Sequence, residues 1–158
     1  MARIIVLDDL AAEGLAKLEA AEGIIFDIKI GLKGEELREA LTHYDGAVCR
    51  SGVKITADTL EGNKSLKAIV RAGVGTDNID KPSATLLGIV VMNTPAGNTI
   101  STAEHTMALL LGLSRKIGPA YSSLQAGRWD RKKFKGSQVS GKTLGIIGLG
   151  RIGLEVAS

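Results

Sequence analysis

Cysteine occurs once in the 158 residues, tryptophan once and proline three times, and aromatic residues make up only 3% of the chain. The lone thiol, Cys49, has no partner for an internal disulfide and offers no zinc-ligand spacing. Few prolines, with 44% hydrophobic and 23% charged residues, exclude a disordered or collagen-like chain. So few aromatics leave little for base-stacking platforms, and a net charge of +3 is too small to imply a nucleic-acid partner. No stretch approaches the roughly 20 apolar residues of a membrane span, and the N-terminus lacks the basic start and apolar run of a signal peptide. The expectation is a cytoplasmic protein with neither nucleic-acid nor membrane partner.

Glycine is in excess: 20 of 158 residues, nearly twice the average usage of about 7%. Without a repeat, that points to many tight turns. The length corresponds to about one average domain with little left over.

Short apolar runs alternate with segments of helical period. Arg3 to Leu7 leads through Asp8 and Asp9 into a helix with Ala11, Leu15 and Leu18 on one face. Ile24 to Ile30, a helical Glu35 to Leu41, then Gly46 to Cys49 follow. Runs at Leu66 to Val70 and Gly88 to Val91 flank a helical Asp80 to Leu87. Strands that are apolar throughout and spaced by helices indicate a parallel sheet covered on both faces, an α/β fold of the flavodoxin-like, doubly wound kind, over residues 1–93. Residues 94–98, rich in turn formers, are expected to be a hinge. The remainder, 99–158, reads as the beginning of a second, Rossmann-type domain. Its long helix is expected to open at a capping box made by Ser101 and Glu104, carry Ala103, Met107, Leu110, Leu111 and Ile117 on one face, and kink or end at Pro119. Arg128 to Ser140 reads as a basic surface loop, and Thr143 to Ile147 as a buried strand.

Two places look chemical. Gly148-Leu149-Gly150-Arg151-Ile152-Gly153 fits G-x-G-x-x-G between an expected strand and a helix. The first Gly allows a tight turn, the second lets backbone approach a pyrophosphate, and the third lets helix and strand pack closely. The acidic residue that would hold the ribose 2′-hydroxyl is expected about 20 residues further on, so NAD and NADP are not distinguished here. Arg71-Ala72-Gly73-Val74-Gly75 follows a strand at the carboxyl edge where open α/β sheets bind ligands. Its glycines free N–H groups for an anion, and its Arg suits a carboxylate or phosphate. Arg50-Ser51-Gly52 ends the neighbouring strand in the same way.

Weaker candidates are set aside. Asp8-Asp9 suggests a phosphoreceiver pair, but the third strand ends in Cys49-Arg50 with no acceptor Asp. Cys49 among apolar neighbours is expected to be an inert buried residue with a raised thiol pKa. His105 is expected to be a buried, hydrogen-bonded helix residue and His43 simply precedes a strand.

Together these residues resemble the D-isomer-specific 2-hydroxyacid dehydrogenases over the whole chain. The carriers are Arg50-Ser51, Arg71 to Gly75 with Asp77 to Asp80, Met92 to Pro95, Gly97-Asn98 and Thr102 to His105. Gly127 to Trp129 with Lys133-Phe134, and Gly141 to Gly145 running into Gly148 to Gly153, complete the set. Val53 and Thr76 stand where the family more often has Thr and Val.

The resemblance implies that Arg50, Ser51, Arg71, Ala72, Gly73, Val74 and Asn98 face the substrate. Val74, Gly148, Gly150, Arg151, Ile152 and Gly153 would face the cofactor, NAD, with NADP still open. It implies oxidation of a small anionic D-2-hydroxy acid, 3-phospho-D-glycerate first among them, and a homodimer or higher homo-oligomer formed through residues 99–140. The family's catalytic Arg, Glu and His lie downstream of the glycine turn, so the 158 residues alone are expected to be inactive, the front of a larger enzyme. The alternative is a non-catalytic module that binds an anion or dinucleotide, such as a dehydrogenase-like corepressor.

Overall fold

The computed structural model describes all residues from Met1 to Ser158, and they form two compact units, Met1–Gly97 and Asn98–Ser158. The first holds a five-stranded parallel sheet of β1 (Ala2–Val6), β2 (Ile24–Ile28), β3 (Gly46–Cys49), β4 (Ala68–Arg71) and β5 (Val90–Asn93), in the order β2-β1-β3-β4-β5. The connecting helices are α1 (Ala12–Glu19), α2 (Gly34–Leu41), α3 (Ala57–Leu60) and α4 (Lys81–Leu86). This is the flavodoxin-like order expected from the alternating runs.

Parallel register aligns Ile5, Ala47, Ile69 and Val91 in one row across β1, β3, β4 and β5. Side chains alternate along a strand, so this row shares one face. It packs with Leu37 and Leu41 of α2, Leu60 of α3 and Ala84 of α4 in a single core cluster. Right-handed crossovers place α2, α3 and α4 on that face and α1 on the other. The α1 side is the thinner one: α1 buries none of its residues, and in the opposite row Val6 is buried while Met92 is exposed.

β4 and β5 begin two residues later than the apolar runs suggest, because Leu66 and Ile89 are buried in the loops that lead into the ladder. Arg71 is thereby the last residue of β4, in register with Cys49 and Asn93.

At the opposite edge, Asp45 ties three strand entries. Its carboxylate accepts from the Arg3 N–H (2.9 Å) and the Lys67 ammonium (2.7 Å), and its backbone bonds both Arg3 and Lys67. The Arg3 N–H first, then Lys67, hold the Asp45 carboxyl below its ordinary value of 3.8.

The second unit contains α5 (Thr99–Ser114), α6 (Ile117–Gln125) and α7 (Arg151–Ala157), with α5 packed on α7. Here several expectations fail. The helix opens at Thr99 with Asn98 as N-cap, and Ser101 lies inside it, donating to the Asn98 carbonyl at 3.2 Å instead of forming a capping box. It ends before Pro119. Lys116 turns left-handed at φ 53°, and Pro119 sits in the first turn of α6, where the missing N–H costs no helical bond. Thr143 to Ile147 forms no strand: no other strand lies in this unit to complete a ladder, and Leu144 and Ile147 are exposed. Along α5 and α6 only Ala103 and Ser123 are buried, with Leu111 and Ile117 exposed. His105 is likewise exposed, since α5 buries none of its positions but Ala103. The basic loop is anchored: the Ser137 N–H donates to the Ser114 carbonyl at 2.8 Å, and a Cβ on Gly136 would collide with that backbone.

A carboxylate held below its usual pKa contributes stability above that value and loses it as pH falls through and below it. Asp45→Asn should therefore lower the urea midpoint at neutral pH and narrow the difference between the midpoints at pH 7 and at about pH 3, read by circular dichroism.

Candidate active site

The carboxyl edge of the sheet gathers the Arg50 and Arg71 constellations in the first unit. The ladder continues past the strands: the Ala72 N–H donates to the Cys49 carbonyl (2.8 Å) and the Thr94 N–H to the Gly73 carbonyl (3.0 Å). The segments 50–55 and 71–80 therefore leave neighbouring strands side by side. They also pair with each other, with the Ile55 N–H donating to the Asn78 carbonyl (2.9 Å) and the Asp80 N–H to the Ile55 carbonyl (2.8 Å).

Arg50 stays at the surface, with Nη1 3.3 Å from the Asp9 carbonyl, and Ser51 is exposed beside it. Arg71 is held more tightly. Only 13% of its side chain is exposed, Nη1 donates to the Gly75 carbonyl and lies 3.4 Å from Asp77, and Nε is buried without a partner. The guanidinium is thus folded over its own loop, and this explains Gly75: a Cβ there would stand 2.7 Å from Arg71 Nη1 and 2.8 Å from the Asp77 carboxylate. Ala72 and Gly73 lie between, and Val74 is exposed, with its carbonyl accepting from Asn93 Nδ2 at 2.6 Å.

Next to Gly52 opens a cavity of about 550 Å³ whose lining includes Lys33, Lys54 and Arg38. Arg38 is paired with Glu61 (3.3 Å) and lies 3.7 Å from Glu35, whereas Lys33 and Lys54 have no carboxylate partner. Glu35 and Asp58 line the same cavity, so its charges are mixed.

Three side chains that build the edge had no assigned role in the sequence. The Asp8 carboxylate accepts from the Arg50 N–H, Asn78 Nδ2 donates to the Arg50 and Val53 carbonyls, and Asn93 holds Val74. The signal was present in kind, since Asp and Asn side chains often bond backbone close to them in the chain, but here the partners lie 19 to 42 residues away.

In the second unit, the glycine turn meets the three demands of a dinucleotide fingerprint in turn. Gly148 has φ +97°, Gly150 has open space where a Cβ would stand, and a Cβ on Gly153 would collide with the Gly148 carbonyl. Gly150 is the N-cap of α7, and no side chain caps that end. Arg151 and Ile152 form its first turn, and Asn98 caps α5 through its backbone only. These residues fit a pyrophosphate: the turn leaves room at Gly150 and closes at Gly153 without any side chain entering it.

Cys49 is buried, and burial, reinforced by the Asp8 charge and opposed by Arg71, pushes its thiol up to about 11. The folded protein at neutral pH should resist iodoacetamide and label only when denatured in guanidinium chloride. The sign of the shift also requires unfolding to release a proton above the ordinary value of 9.0, so stability contributed by the buried thiol is lost as pH rises from there towards 11.

A sequence profile described as D-isomer specific 2-hydroxyacid dehydrogenase, catalytic domain, matches residues 4–152. D-3-phosphoglycerate dehydrogenase of Archaeoglobus fulgidus is 46% identical over 98% of this chain, and that of Methanocaldococcus jannaschii 48% identical over 99%; in both cases the match covers 29% of the relative. A crystal structure of cofactor (NAD+) bound 3-phosphoglycerate dehydrogenase from Entamoeba histolytica superposes with a TM-score of 0.78 at 30% identity, covering 99% of this chain and 49% of that one. The chain thus spans less than a third of the length of those two sequence relatives. With that profile matched from residue 4 to residue 152, the chain belongs to the D-isomer specific 2-hydroxyacid dehydrogenase family.

Proposed function

We propose that these residues form the substrate-binding domain and the opening of the cofactor domain of an NAD-dependent dehydrogenase that oxidises 3-phospho-D-glycerate to 3-phosphohydroxypyruvate, a step that supplies serine biosynthesis. The observation that carries the cofactor part is the glycine turn, in which Gly148 makes the turn, Gly150 leaves room for a pyrophosphate and Gly153 lets the helix pack closely. Identity of 46% and 48% to relatives named D-3-phosphoglycerate dehydrogenase supports the substrate.

In this reading Arg50 and Ser51 contact the anion directly, and the Ala72 to Val74 backbone lines its path. Arg71, committed to Gly75, contributes its charge and fixes the shape of the loop. Asn98 belongs to the hinge at 94–98, while Val74, Gly148, Gly150, Arg151, Ile152 and Gly153 face the cofactor. Bound NAD supplies the acceptor for a hydride from the carbon that carries the hydroxyl. The hydroxyl proton is not assigned to either histidine here. His43 follows α2, at the edge of the sheet opposite Arg50, and His105 is exposed on α5. The 158 residues alone are therefore expected not to turn substrate over. Exposed Leu109, Leu113, Tyr121, Leu124 and Trp129 support a homo-oligomer formed through residues 99–140, and a lone buried thiol accords with the cytoplasm.

Two substitutions separate the halves of this reading in a full-length dehydrogenase carrying the segment. Gly150→Val fills open space without a clash, so folding should survive while NAD affinity falls by about a hundredfold and phosphoglycerate affinity holds. Arg50→Ala should do the reverse, raising KM for phosphoglycerate by about ten- to a hundredfold with KM for NAD within about twofold, since a charge-assisted contact is worth that much. Equal losses of both ligands in either variant would sink the assignment.

A further inference from the structure

Asn78 is almost wholly engaged with backbone that is not its own. Its Nδ2 donates to the Arg50 carbonyl at 2.7 Å and to the Val53 carbonyl at 2.8 Å, so one amide nitrogen spans both ends of the Arg50–Val53 turn. Asparagine is the shortest side chain with two donors on one atom, and both are used. The other end of the amide is left without a partner: Oδ1 is buried and accepts nothing. The Cys49 thiol lies beside the same amide, whose interaction with it opposes the upward push of burial on that thiol.

The same turn is gripped from its other side. The Asp8 carboxylate, leaving β1, accepts from the Arg50 N–H, and Gly52 has no Cβ because one would collide with that carboxylate. Asn78 is in turn anchored by the Ile55 and Asp80 backbone bonds, and the loop from which it comes begins at Arg71. Three strands therefore fix one four-residue turn. The Arg50 N–H and carbonyl are both consumed in holding it, which leaves the exposed guanidinium, held only by the 3.3 Å bond from Nη1 to the Asp9 carbonyl, as the part of the residue that can meet a ligand.

We propose that Asn78 is a positioning residue for the anionic substrate: acting with Asp8, it clamps the Arg50–Val53 turn so that Arg50 and Ser51 are presented from the sheet edge in one conformation. Asn78 itself touches no substrate. The inference rests on the reading of Arg50 as the anion contact.

The test pairs a local measurement with a kinetic one, both in a full-length dehydrogenase carrying the segment. Asn78→Asp keeps the shape but sets a carboxylate against two carbonyls, and Asn78→Ala removes the donors without adding charge. Asp8→Ala removes the grip from the far side, whereas Asp8→Asn retains an acceptor. Amide hydrogen exchange at Arg50 should quicken by about tenfold or more in the Asn78 variants and in Asp8→Ala, and stay near wild type in Asp8→Asn. KM for phosphoglycerate should rise by about tenfold in the same three variants, with KM for NAD within about twofold and Asp8→Asn restoring it. Should Asn78→Asp fail to fold, Asn78→Ala and Asp8→Ala carry the comparison. Unchanged exchange at Arg50 in the folded Asn78 variants overturns the clamp. Faster exchange with unchanged phosphoglycerate KM overturns its role in substrate placement. Failure of the underlying reading has a separate signature, an Arg50→Ala enzyme whose phosphoglycerate KM does not move.

Discussion

Parallel register is the constraint on which the first unit depends. Once Ile5, Ala47, Ile69 and Val91 share a row against α2, α3 and α4, a slip of one residue in any strand would turn its core side chain to the other face. The same register decides where each strand stops, and so brings Asp8, Arg50, Arg71 and Asn93 to a single edge. Packing energy along the row, with the fully buried Ile5 and Ile69 each contributing about 1.5–3 kcal/mol, exceeds that of a typical hydrogen bond at that edge. The site is thus a by-product of the core in its position and a product of polar side chains only in its detail.

Those polar details have their own logic. Asp45 gathers strand entries at one end of the sheet, whereas Asp8, Asn78 and Asn93 hold loops at the other. Both sets join segments distant in sequence, but with different stakes. On the entry side the Asp45–Lys67 ion pair is exposed, of modest value and screened by solvent, and the Arg3 N–H bond joins strand entries that carry no site residue. The exit-side contacts bond backbone groups of the very loops that carry the arginines, so a small displacement there moves a charged side chain.

Much of this is legible in the amino-acid sequence. Alternation of β-branched runs with helical periods located all five strands, and the motifs from Arg50 to Gly153 pointed to the family. The misses share a cause. The strand expected at Thr143 to Ile147 needs neighbours that local sequence does not supply, and the boundary at Lys116 rests on one left-handed residue that no periodicity reveals. The Ser101 and Glu104 spacing was genuine, yet Asn98 and Thr99 could begin the helix earlier. Arg71 was rightly placed at the edge, but its fold-back onto Gly75 depends on side-chain geometry over four residues of loop. Roles for Asp8 and Asn78 were hidden for the plainest reason, that hydrogen bonds spanning dozens of residues leave no local pattern.

The sheet's two faces are unequally clothed, and this bears on how such a domain can drift over generations. Substitutions in the row of Ile5, Ala47 and Ile69 must be compensated within a sealed interior, so that face should change slowly and in correlated sets. On the α1 side, where α1 buries nothing and Met92 lies open, replacements meet little resistance from neighbours. A lineage could remodel that surface, or recruit it for new attachments, while the edge bearing Arg50 and Arg71 kept its shape.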